Sequence, residues 1–459
     1  MKRLVSSIAV LLVLLVTNAA RGSGGDYEHC TSTTSLSPRP HSVSILEFGA
    51  VGDGVTLNTI AFQNAVFYAR SFADKGGAQL YVPKGRWLTG SFSLTSHLTL
   101  FLDKDAVIIG SQDSSQWPIV DPLPSYGRGI ELPGGRHRSL INGNNLTDVV
   151  ITGDYGTIDG QGSVWWDWFH SHFLNYSRPN LVEFVSSTDI IISNLTFLNS
   201  PAWSIYPVYC RNVQIQNVTI YSSPDSPFTN GIVPDSCSNT CIVYCSISVG
   251  HDAISLKSGW DEFGISYGKP ASDIHIHEVT LQTAHGSAIA FGSEMSGGIS
   301  EIHVDHLHIH DSATAIQFKT AAGRGGFMEH ILISDVEMEN VETAIHFTGH
   351  SDNHPDEDYD PNALPLINAI TIRNIVGKNI STAGILTGIK GDPFTALCFS
   401  NISLSVTSDP KSSWDCSDVS GFSQSVVPQP CSDLSQLTYP NSSFQCFSLL
   451  DQNGYALAE

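Results

Sequence analysis

A nine-residue pattern of alternating apolar residues recurs along the chain and constrains the fold more than any other feature. Alternation with a period of two is typical of a strand with one buried face. Because successive copies start 23 to 39 residues apart, the spacing indicates one turn of a solenoid per copy, with loops of varying length. The copies are DIIISNLTF at 189, NVQIQNVTI at 212, NTCIVYCSI at 239, DIHIHEVTL at 273, EIHVDHLHI at 301, HILISDVEM at 330 and a weaker AITIRNIVG at 369.

A second strand pattern lies within each turn. It reads DAISLK at 252, SAIAFG at 287, TAIQFK at 314 and TAIHFT at 343. Two strand patterns per turn predict an all-β fold, a right-handed parallel β-helix. Stacked strands lie about 4.8 Å apart, so equivalent positions form columns along the coil. The inward column is predicted to contain Ile254, Ile289, Ile316 and Ile345.

The segment TIAFQNAVFYARSFADKGG, from residue 59, predicts an amphipathic helix before the coils. Ala61, Ala65, Ala69 and Phe72 form one apolar face, and Gly76 ends it. Such a helix would cap the open N-terminal end of the solenoid core. Since no linker interrupts the patterns, residues 46–450 are expected to form a single elongated domain.

The first residues predict export from the cell. Lys2 and Arg3 precede an apolar run from Leu4 to Val16, which is typical of a signal peptide and short for a membrane span. Residues 1–22 are interpreted as a signal peptide, 23–45 as an N-terminal extension and 451–459 as a tail. An uncleaved anchor is the alternative. Without it, no contact with a membrane is expected, and the protein would be secreted to the extracellular space and cell wall.

Glycosylation sequons and cysteines agree with an oxidising compartment. The cysteine count is nine, so at least one thiol is free or pairs outside the chain. Cys237, Cys241 and Cys245 are close in sequence, but without histidines at matching spacing they favour strand positions over a metal cluster. The sequons are at Asn145, Asn175, Asn194, Asn217, Asn379, Asn401 and Asn441.

The formal net charge of −22 argues against a nucleic acid partner. It also disfavours a polyanionic ligand, but at physiological salt the repulsion between charges is largely screened beyond roughly 8 Å. Local cations can therefore still decide binding.

Polar residues converge when the second pattern is aligned turn by turn. NGIV at 230, DAIS at 252, SAIA at 287 and TAIQ at 314 then share one register. A solvated polar face would explain any one of these residues, but convergence from four turns favours a binding groove. One column contains Asn230, Asp252, Ser287 and Thr314, and the next contains Thr229 and His251. Gln317 and Lys319 lie further along the strand pattern of Thr314, and Lys257 occupies the position of Lys319 on another turn.

At these residues the chain resembles glycoside hydrolase family 28, the polygalacturonases and related pectin hydrolases. FGSEMSGG at 291–298 and KTAAGRGG at 319–326 resemble the plant branch. FGAVGDG near the N-terminus and GTIDGQGSVWW at 156–166 extend the resemblance over nearly the whole mature chain.

Four groove motifs are similar within that family, and this chain departs from them. Gly-Asp-Asp corresponds to Gly250-His251-Asp252, and Asn-Thr-Asp to Phe228-Thr229-Asn230. Gly-His-Gly corresponds to Ala284-His285-Gly286, although the column puts Ser287 nearer that position. Arg-Ile-Lys corresponds to Gln317-Phe318-Lys319.

The resemblance implies that the first Asp of the family's pair is the general acid and that the other two activate water, with inversion. His251 then replaces the acid and Asp252 remains as the base. An unperturbed histidine titrates near 6.5, so His251 could donate a proton at acidic pH. Asn230 can hold a water or a hydroxyl, and Gln317 can hydrogen-bond a sugar but cannot clamp a carboxylate as arginine does.

Two hypotheses follow. In the first, the protein is a glycosidase of polygalacturonase type that hydrolyses pectic polysaccharide with His251 and Asp252. Thr229, Asn230, Lys257, His285, Ser287, Gln317 and Lys319 would bind the substrate. In the second, the groove binds pectin without cutting it. A pectate lyase is a distant third, because a Ca²⁺ carboxylate cluster and an arginine base are missing.

We expect no cofactor and no metal, and we expect the protein to be a monomer. A metal site could be suggested by His285, His303, His306, His308 and His310, but the alternation at 306, 308 and 310 favours a solvated strand face. Trp165, Trp166 and Trp168 could stack on sugars or pack internally.

Overall fold

The protein is a parallel β-helix, described by a computed structural model over Cys30, residues 38–351, 353–409 and 413–434, and Cys446. The predicted signal peptide, most of the extension, Asn441 and the predicted tail lie outside these residues. From residue 38 to residue 434 the described chain forms one compact unit.

The described strands run parallel in two sheets, apart from one short antiparallel pair. That pair is Ile119–Val120 with Arg136–His137. The smaller parallel sheet contains Phe92–Ser93, Ile141–Asn144, Val182–Val185 and Ile205–Val208. The large sheet contains His41–Ser44, Ala78–Val82, Gly85–Thr89, Leu98–Leu102, Ala106–Gly110, Thr147–Gly153, Thr157–Asp159, Thr188–Ser193, Thr196–Leu198, Arg211–Gln216, Thr219–Tyr221, Ser238–Val243, Ser246–Val249, Ile254–Leu256, Ala271–Thr283, Ser287–Phe291, Ile299–Lys319, Phe327–Thr348, Leu366–Ile367, Ile370–Thr387, Phe394–Val406, Trp414–Ser417 and Val419–Val427.

The nine-residue repeat contains two short strands and a corner. In its first copy the strands are Thr188–Ser193 and Thr196–Leu198, and Asn194 between them has a φ of 55°. Asn tolerates this left-handed conformation better than most residues. Asn217 occupies the next corner, and its Nδ2 donates to Oδ1 of Asn194 at 2.7 Å. The turn that begins at Thr188 therefore carries three strand segments, the third being Ile205–Val208, one more than the sequence predicted.

The predicted inward ladder is confirmed. Ile254 pairs with Ile289, Ile289 with Ile316, and Ile316 with Ile345. All four are fully buried, and each buried aliphatic side chain contributes about 1.5–3 kcal/mol to stability. This ladder fixes the register of the polar columns beside it.

A helix covers the N-terminal strands, as predicted. This helix, α1, spans Thr59–Ala69 and buries Phe62 against Phe92, with ring centroids 4.7 Å apart. The chain continues as a 3-10 helix over Arg70–Lys75 and ends at Gly76, whose φ is 88°. Gly76 therefore ends the helical segment where the sequence placed its end, because glycine adopts this conformation without strain.

Other helices are short. They are α2, Ser163–His170, and α3, Asp261–Tyr267, with 3-10 turns at Ile45–Phe48, Ser114–Gln116 and Ser432–Leu434. In α2, Trp165 is fully buried and packs on Trp117 at 5.5 Å. Internal packing therefore accounts for Trp165.

The odd number of cysteines leaves free thiols, as expected from the sequence. Six are disulfide-bonded, and the bonds include Cys398–Cys446 and Cys416–Cys431. Cys210, Cys237 and Cys245 are buried free thiols. Separately, among the described residues, none of the helices has the length and apolar character that crossing a membrane requires.

Candidate functional site

The candidate site lies on an outward column of the second strand pattern, here called the groove column. Backbone hydrogen bonds join it: the amide of Gly231 donates to the carbonyl of Asp252 at 3.0 Å, and that of Ala253 to the carbonyl of Ser287 at 2.9 Å. Ser287 pairs with Thr314 on the next turn. The alignment of Asn230, Asp252, Ser287 and Thr314 made from the sequence is therefore confirmed as a register.

Asp252 is the centre of the site. It is 1% exposed, and its Oδ1 accepts the backbone amide of Ser287 at 2.9 Å. Its Oδ2 accepts Nζ of Lys319 at 2.7 Å. Burial alone would raise the pKa of this carboxyl, but the charges of Lys319 and His251 and the Lys319 hydrogen bond hold the pKa well below its usual range. Asp252 is therefore an anion at any pH near neutral.

His251 stands beside this anion with a defined tautomer. Oδ1 of Asn230 accepts the backbone amide of Asp252 at 3.1 Å, which fixes that atom as an acceptor. Nδ1 of His251 is also 3.1 Å from Oδ1 of Asn230, so Nδ1 carries a proton and donates it there. Among the described residues nothing hydrogen-bonds Nε2 of His251. Nε2 is therefore the ring nitrogen left to exchange a proton.

The surroundings of His251 disfavour its charged form. Its side chain is 26% exposed. Burial lowers its pKa below the usual 6.5, the charge of Asp252 opposes that shift, and Lys319 and Lys257 add to it. At neutral pH the imidazole is consequently neutral.

The two groove lysines differ in their accessibility. The Lys319 side chain is 15% exposed and pairs with Asp252. Lys257 lies in the equivalent column, but its side chain is 7% exposed and forms an ion pair with Glu294. Its Nζ also lies 5.7 Å from the centre of the Trp203 ring. Lys319 is therefore the more accessible cation of the two.

Gln317 continues the site toward the next turn. Its Oε1 accepts the hydroxyl of Ser287 at 2.5 Å, and its Nε2 lies 2.9 Å from Nδ1 of His346. Burial, with the charge of Lys319, lowers the pKa of His346. A neutral His346 accepts this hydrogen bond, so Gln317 is held by partners on two sides.

The remaining predicted residues lie at different depths. Thr229 is fully buried, and its Oγ1 accepts the amide of Gly250 at 3.2 Å. It thus supports the chain segment before His251 from inside. His285 is exposed on the surface next to the column, and its amide donates to the carbonyl of Gly250 at 3.1 Å.

Three residues of the site were not identified from the sequence. Phe228 is 54% exposed, and its ring lies 5.2 Å from that of His251. Glu294 lies in the quoted FGSEMSGG segment, and His346 lies one register step from Gln317 in TAIHFT. All three residues lie in segments that the sequence analysis quoted, but the contacts that each makes depend on the direction of its side chain.

A small surface pocket lies on the preceding turns. Trp203 and Asn180 lie in its wall. They precede Asn230 in the groove column, because Val182 pairs with Ile205, Ile205 with Ile232, and Ile232 with Ile254. Aromatic and charged side chains line it, and two of its arginines are ion-paired, Arg178 with Glu131 and Arg136 with Glu183. Its charged residues are Arg128, Glu131, Arg136 and Arg178.

Comparison with known proteins gives the family. The profile described as "Glycosyl hydrolases family 28" matches residues 77–431. A "Probable polygalacturonase" of Vitis vinifera is 50% identical over 428 residues, covering 93% of this chain and 87% of that protein. An "Exopolygalacturonase" of Zea mays is 29% identical over 336 residues, covering 65% of this chain and 76% of that protein.

Solved structures agree on the fold. The hyperthermoactive exopolygalacturonase from Thermotoga maritima has a TM-score of 0.75 at 24% identity, covering 87% of this chain and 94% of that one. The polygalacturonase from Erwinia carotovora has a TM-score of 0.65 at 19% identity, covering 86% and 99%. Both are right-handed β-helices, so the predicted handedness is confirmed.

The protein therefore belongs to glycosyl hydrolases family 28, as a polygalacturonase-like member. The resemblance inferred from the groove motifs is confirmed at the level of the family.

Proposed function

We propose that the protein is a secreted enzyme that hydrolyses a pectic polysaccharide of the cell wall with inversion, using His251 as proton donor and Asp252 as base. The observation that carries the proposal is the pairing of an ionised Asp252 with a histidine whose Nε2 has no hydrogen-bond partner among the described residues. The polygalacturonase names of the relatives support the substrate class.

The division of roles follows from protonation. Inverting hydrolysis needs an acid at the leaving oxygen and a base that activates water. Asp252 has a pKa too low to donate a proton, so it can only accept one. When His251 is protonated, its Nε2 donates the proton to the leaving oxygen, while its Nδ1–H stays hydrogen-bonded to Oδ1 of Asn230.

Asn230 has a positioning role in this scheme. Its Oδ1 holds both the amide of Asp252 and the ring of His251. No acceptor for its Nδ2 is found in the part of the chain that the structure describes. That amide can therefore donate to a water or to a sugar hydroxyl.

Recognition of an acidic sugar depends on local charge. Lys319 beside Asp252, and Arg128 in the wall of the pocket, which has no ion-pair partner among the described residues, supply positive groups to a chain whose net charge is −22. Phe228 supplies an exposed ring beside His251 on which a sugar face can stack.

The test uses purified, glycosylated protein on a panel of pectins. We expect release of reducing ends, with the first product anomer inverted when followed by NMR. The Asp311→Asn variant is the control, because Asp311 is an exposed carboxylate paired with His310 away from the groove.

A second candidate function is binding without hydrolysis, and one observation favours it. Nδ1 of His251 and Oδ1 of Asp252 are 3.6 Å apart, whereas inverting enzymes usually separate their two carboxyl groups by about 6.5–9.5 Å. Both oxygens of Asp252 are also occupied, by Ser287 and Lys319. Saturable pectin binding with no turnover on any pectin would select this function.

A further inference from the structure

Four histidines surround one buried aspartate at a distance from the groove. We call this set the Asp305 cluster: His275, His277, His303, His306 and Asp305. Asp305 is 7% exposed and His275 is 6% exposed. Between Asp305 and the groove segment of the same strand lie two corners, at His306 with a φ of 52° and at Asp311 with a φ of 46°. The cluster therefore faces away from the candidate active site.

The coil register builds this cluster from two consecutive turns. His275 pairs with His303, and His277 pairs with Asp305. The rings of His275 and His303 stack with centroids 4.6 Å apart and an interplanar angle of 8°. Their Nε2 atoms lie 3.2 Å and 3.1 Å from the same oxygen, Oδ2 of Asp305.

These three atoms have the spacing of metal ligands. Two ligands that each lie about 2.0–2.2 Å from a tetrahedral Zn²⁺ are separated by about 3.3–3.6 Å. The three donor atoms lie within 4.8 Å of one another, and the two nitrogen–oxygen distances of 3.2 Å and 3.1 Å lie just below that separation. Two imidazoles and a carboxylate are also a donor set that suits Zn²⁺ and its neighbours in the first transition row.

We propose that His275, His303 and Asp305 bind a divalent transition-metal ion of the Zn²⁺ class.

The protonation states agree with this role. Burial lowers the pKa of His303 to about 4, against the opposing charge of Asp305, so the imidazole is neutral as a ligand must be. Burial would raise the pKa of Asp305, but hydrogen bonds from His275 and His277 keep it well below its usual range. Asp305 therefore supplies an anionic oxygen.

The other oxygen of the carboxylate has partners of its own. Nδ1 of His277 bonds Oδ1 of Asp305, and Nδ1 of His306 lies 3.2 Å from the same atom. Such bonds orient a ligating carboxylate, and losing one typically weakens metal affinity by about 10–100-fold. His277 and His306 are thus positioning residues.

A bound ion would link two adjacent turns of the coil. His275 lies on one turn, while His303 and Asp305 lie on the next. Because only the folded chain brings them together, binding would stabilise the fold in proportion to metal concentration.

The test is titration of tag-free protein with ZnCl₂ by calorimetry and with CoCl₂ by visible absorption. We expect one saturable site, a cobalt spectrum of tetrahedral intensity, and a rise in Tm with zinc but not with Mg²⁺. His303→Gln should abolish saturable binding, and His277→Gln should weaken it by about 10–100-fold. His308→Gln is the matched control, since His308 is exposed on the neighbouring strand segment beyond the corner.

Either of two results would overturn the proposal. One is the absence of saturable binding by the parent chain, which would leave a hydrogen-bonded histidine cluster without a metal. The other is equal loss of binding in His303→Gln and His308→Gln, which would indicate adventitious surface histidines. If His303→Gln fails to fold, X-ray absorption on the cobalt-loaded parent decides, because fewer than two imidazole ligands would contradict the assignment.

Discussion

Two buried aspartates, Asp252 and Asp305, show how one coil makes two different sites. Both are held ionised by side chains that adjacent turns bring into register. Asp252 faces one lysine and one histidine. Asp305 faces histidines alone among its described ion-pair partners. This difference in partners separates the two proposed roles: an ion pair with lysine at the proposed base, and imidazole nitrogen atoms at the proposed metal site.

The largest difference should appear in turnover. Asp252→Asn removes the proposed base and should eliminate nearly all hydrolysis, because an amide cannot accept the proton. The same variant should bind zinc as the parent does, since its contacts do not reach the Asp305 cluster. Measured rates of reducing-end release and zinc isotherms would separate the two sites. Residual turnover close to that of the parent would contradict the role of Asp252.

Replacing the histidine partner of Asp252 should cost less. His251→Ala should reduce turnover by about 10²–10⁴-fold, which is typical for loss of a general acid. His308→Gln, outside both sites, should retain the parent's rate. If His251→Ala hydrolyses pectin as fast as the parent, the proton comes from another group.

The pH profile of the parent should reflect the same two groups. Hydrolysis needs His251 protonated, so activity is lost as pH rises through a pKa that lies below 6.5. It also needs Asp252 ionised, and that requirement fails only below the strongly lowered pKa of Asp252. We expect an acidic plateau with one descending limb. A rate that rises between pH 5 and pH 7 would show that neutral His251 is the active form.

Stability should distinguish the two aspartates more modestly. Asp252→Asn leaves Lys319 without its partner, and breaking a buried ion pair in this way costs about 3–5 kcal/mol, less here because Lys319 is 15% exposed. Asp305→Asn leaves imidazoles that can stay neutral. We therefore expect a smaller loss of stability, about 1–3 kcal/mol, as for the loss of a buried hydrogen bond. Calorimetric Tm values at one scan rate and without metal would rank them, and the reverse order would contradict this comparison.

The smallest effect should separate Lys319 from Lys257. Lys319→Ala should weaken binding of oligogalacturonate at low salt, because Lys319 is the more accessible cation. Lys257→Ala should chiefly lower Tm, since it leaves Glu294 buried without its partner. Titrations at two salt concentrations would measure this, and unchanged affinity in Lys319→Ala would remove the electrostatic argument.

Much of the fold could be predicted because the solenoid repeats its pattern. The ladder from Ile254 to Ile345 and the alignment of Asn230 with Asp252 needed only a period of two and equal strand positions. The division of the nine-residue repeat into two strands was missed because a corner such as the one at Asn194 interrupts the alternation for a single residue.

Side-chain partners could not be predicted in the same way. Lys257 was expected in the groove, but whether it meets Glu294 depends on the path of the intervening loop. His275 and His303 are 28 residues apart in the sequence, and only the coil register stacks their rings. The histidines considered from the sequence as a metal site included His303 and His306, but their neighbours His275, His277 and Asp305 could be assigned to the same cluster only from the structure.

The most direct test of the proposed function is to follow one pectin digestion by NMR with the parent and Asp252→Asn in parallel. The proposal predicts that the parent first releases the inverted anomer and that the variant releases none, while both bind the polysaccharide. Saturable binding by the parent without any released sugar, on every pectin tried, would contradict hydrolysis and leave a β-helix that binds pectin.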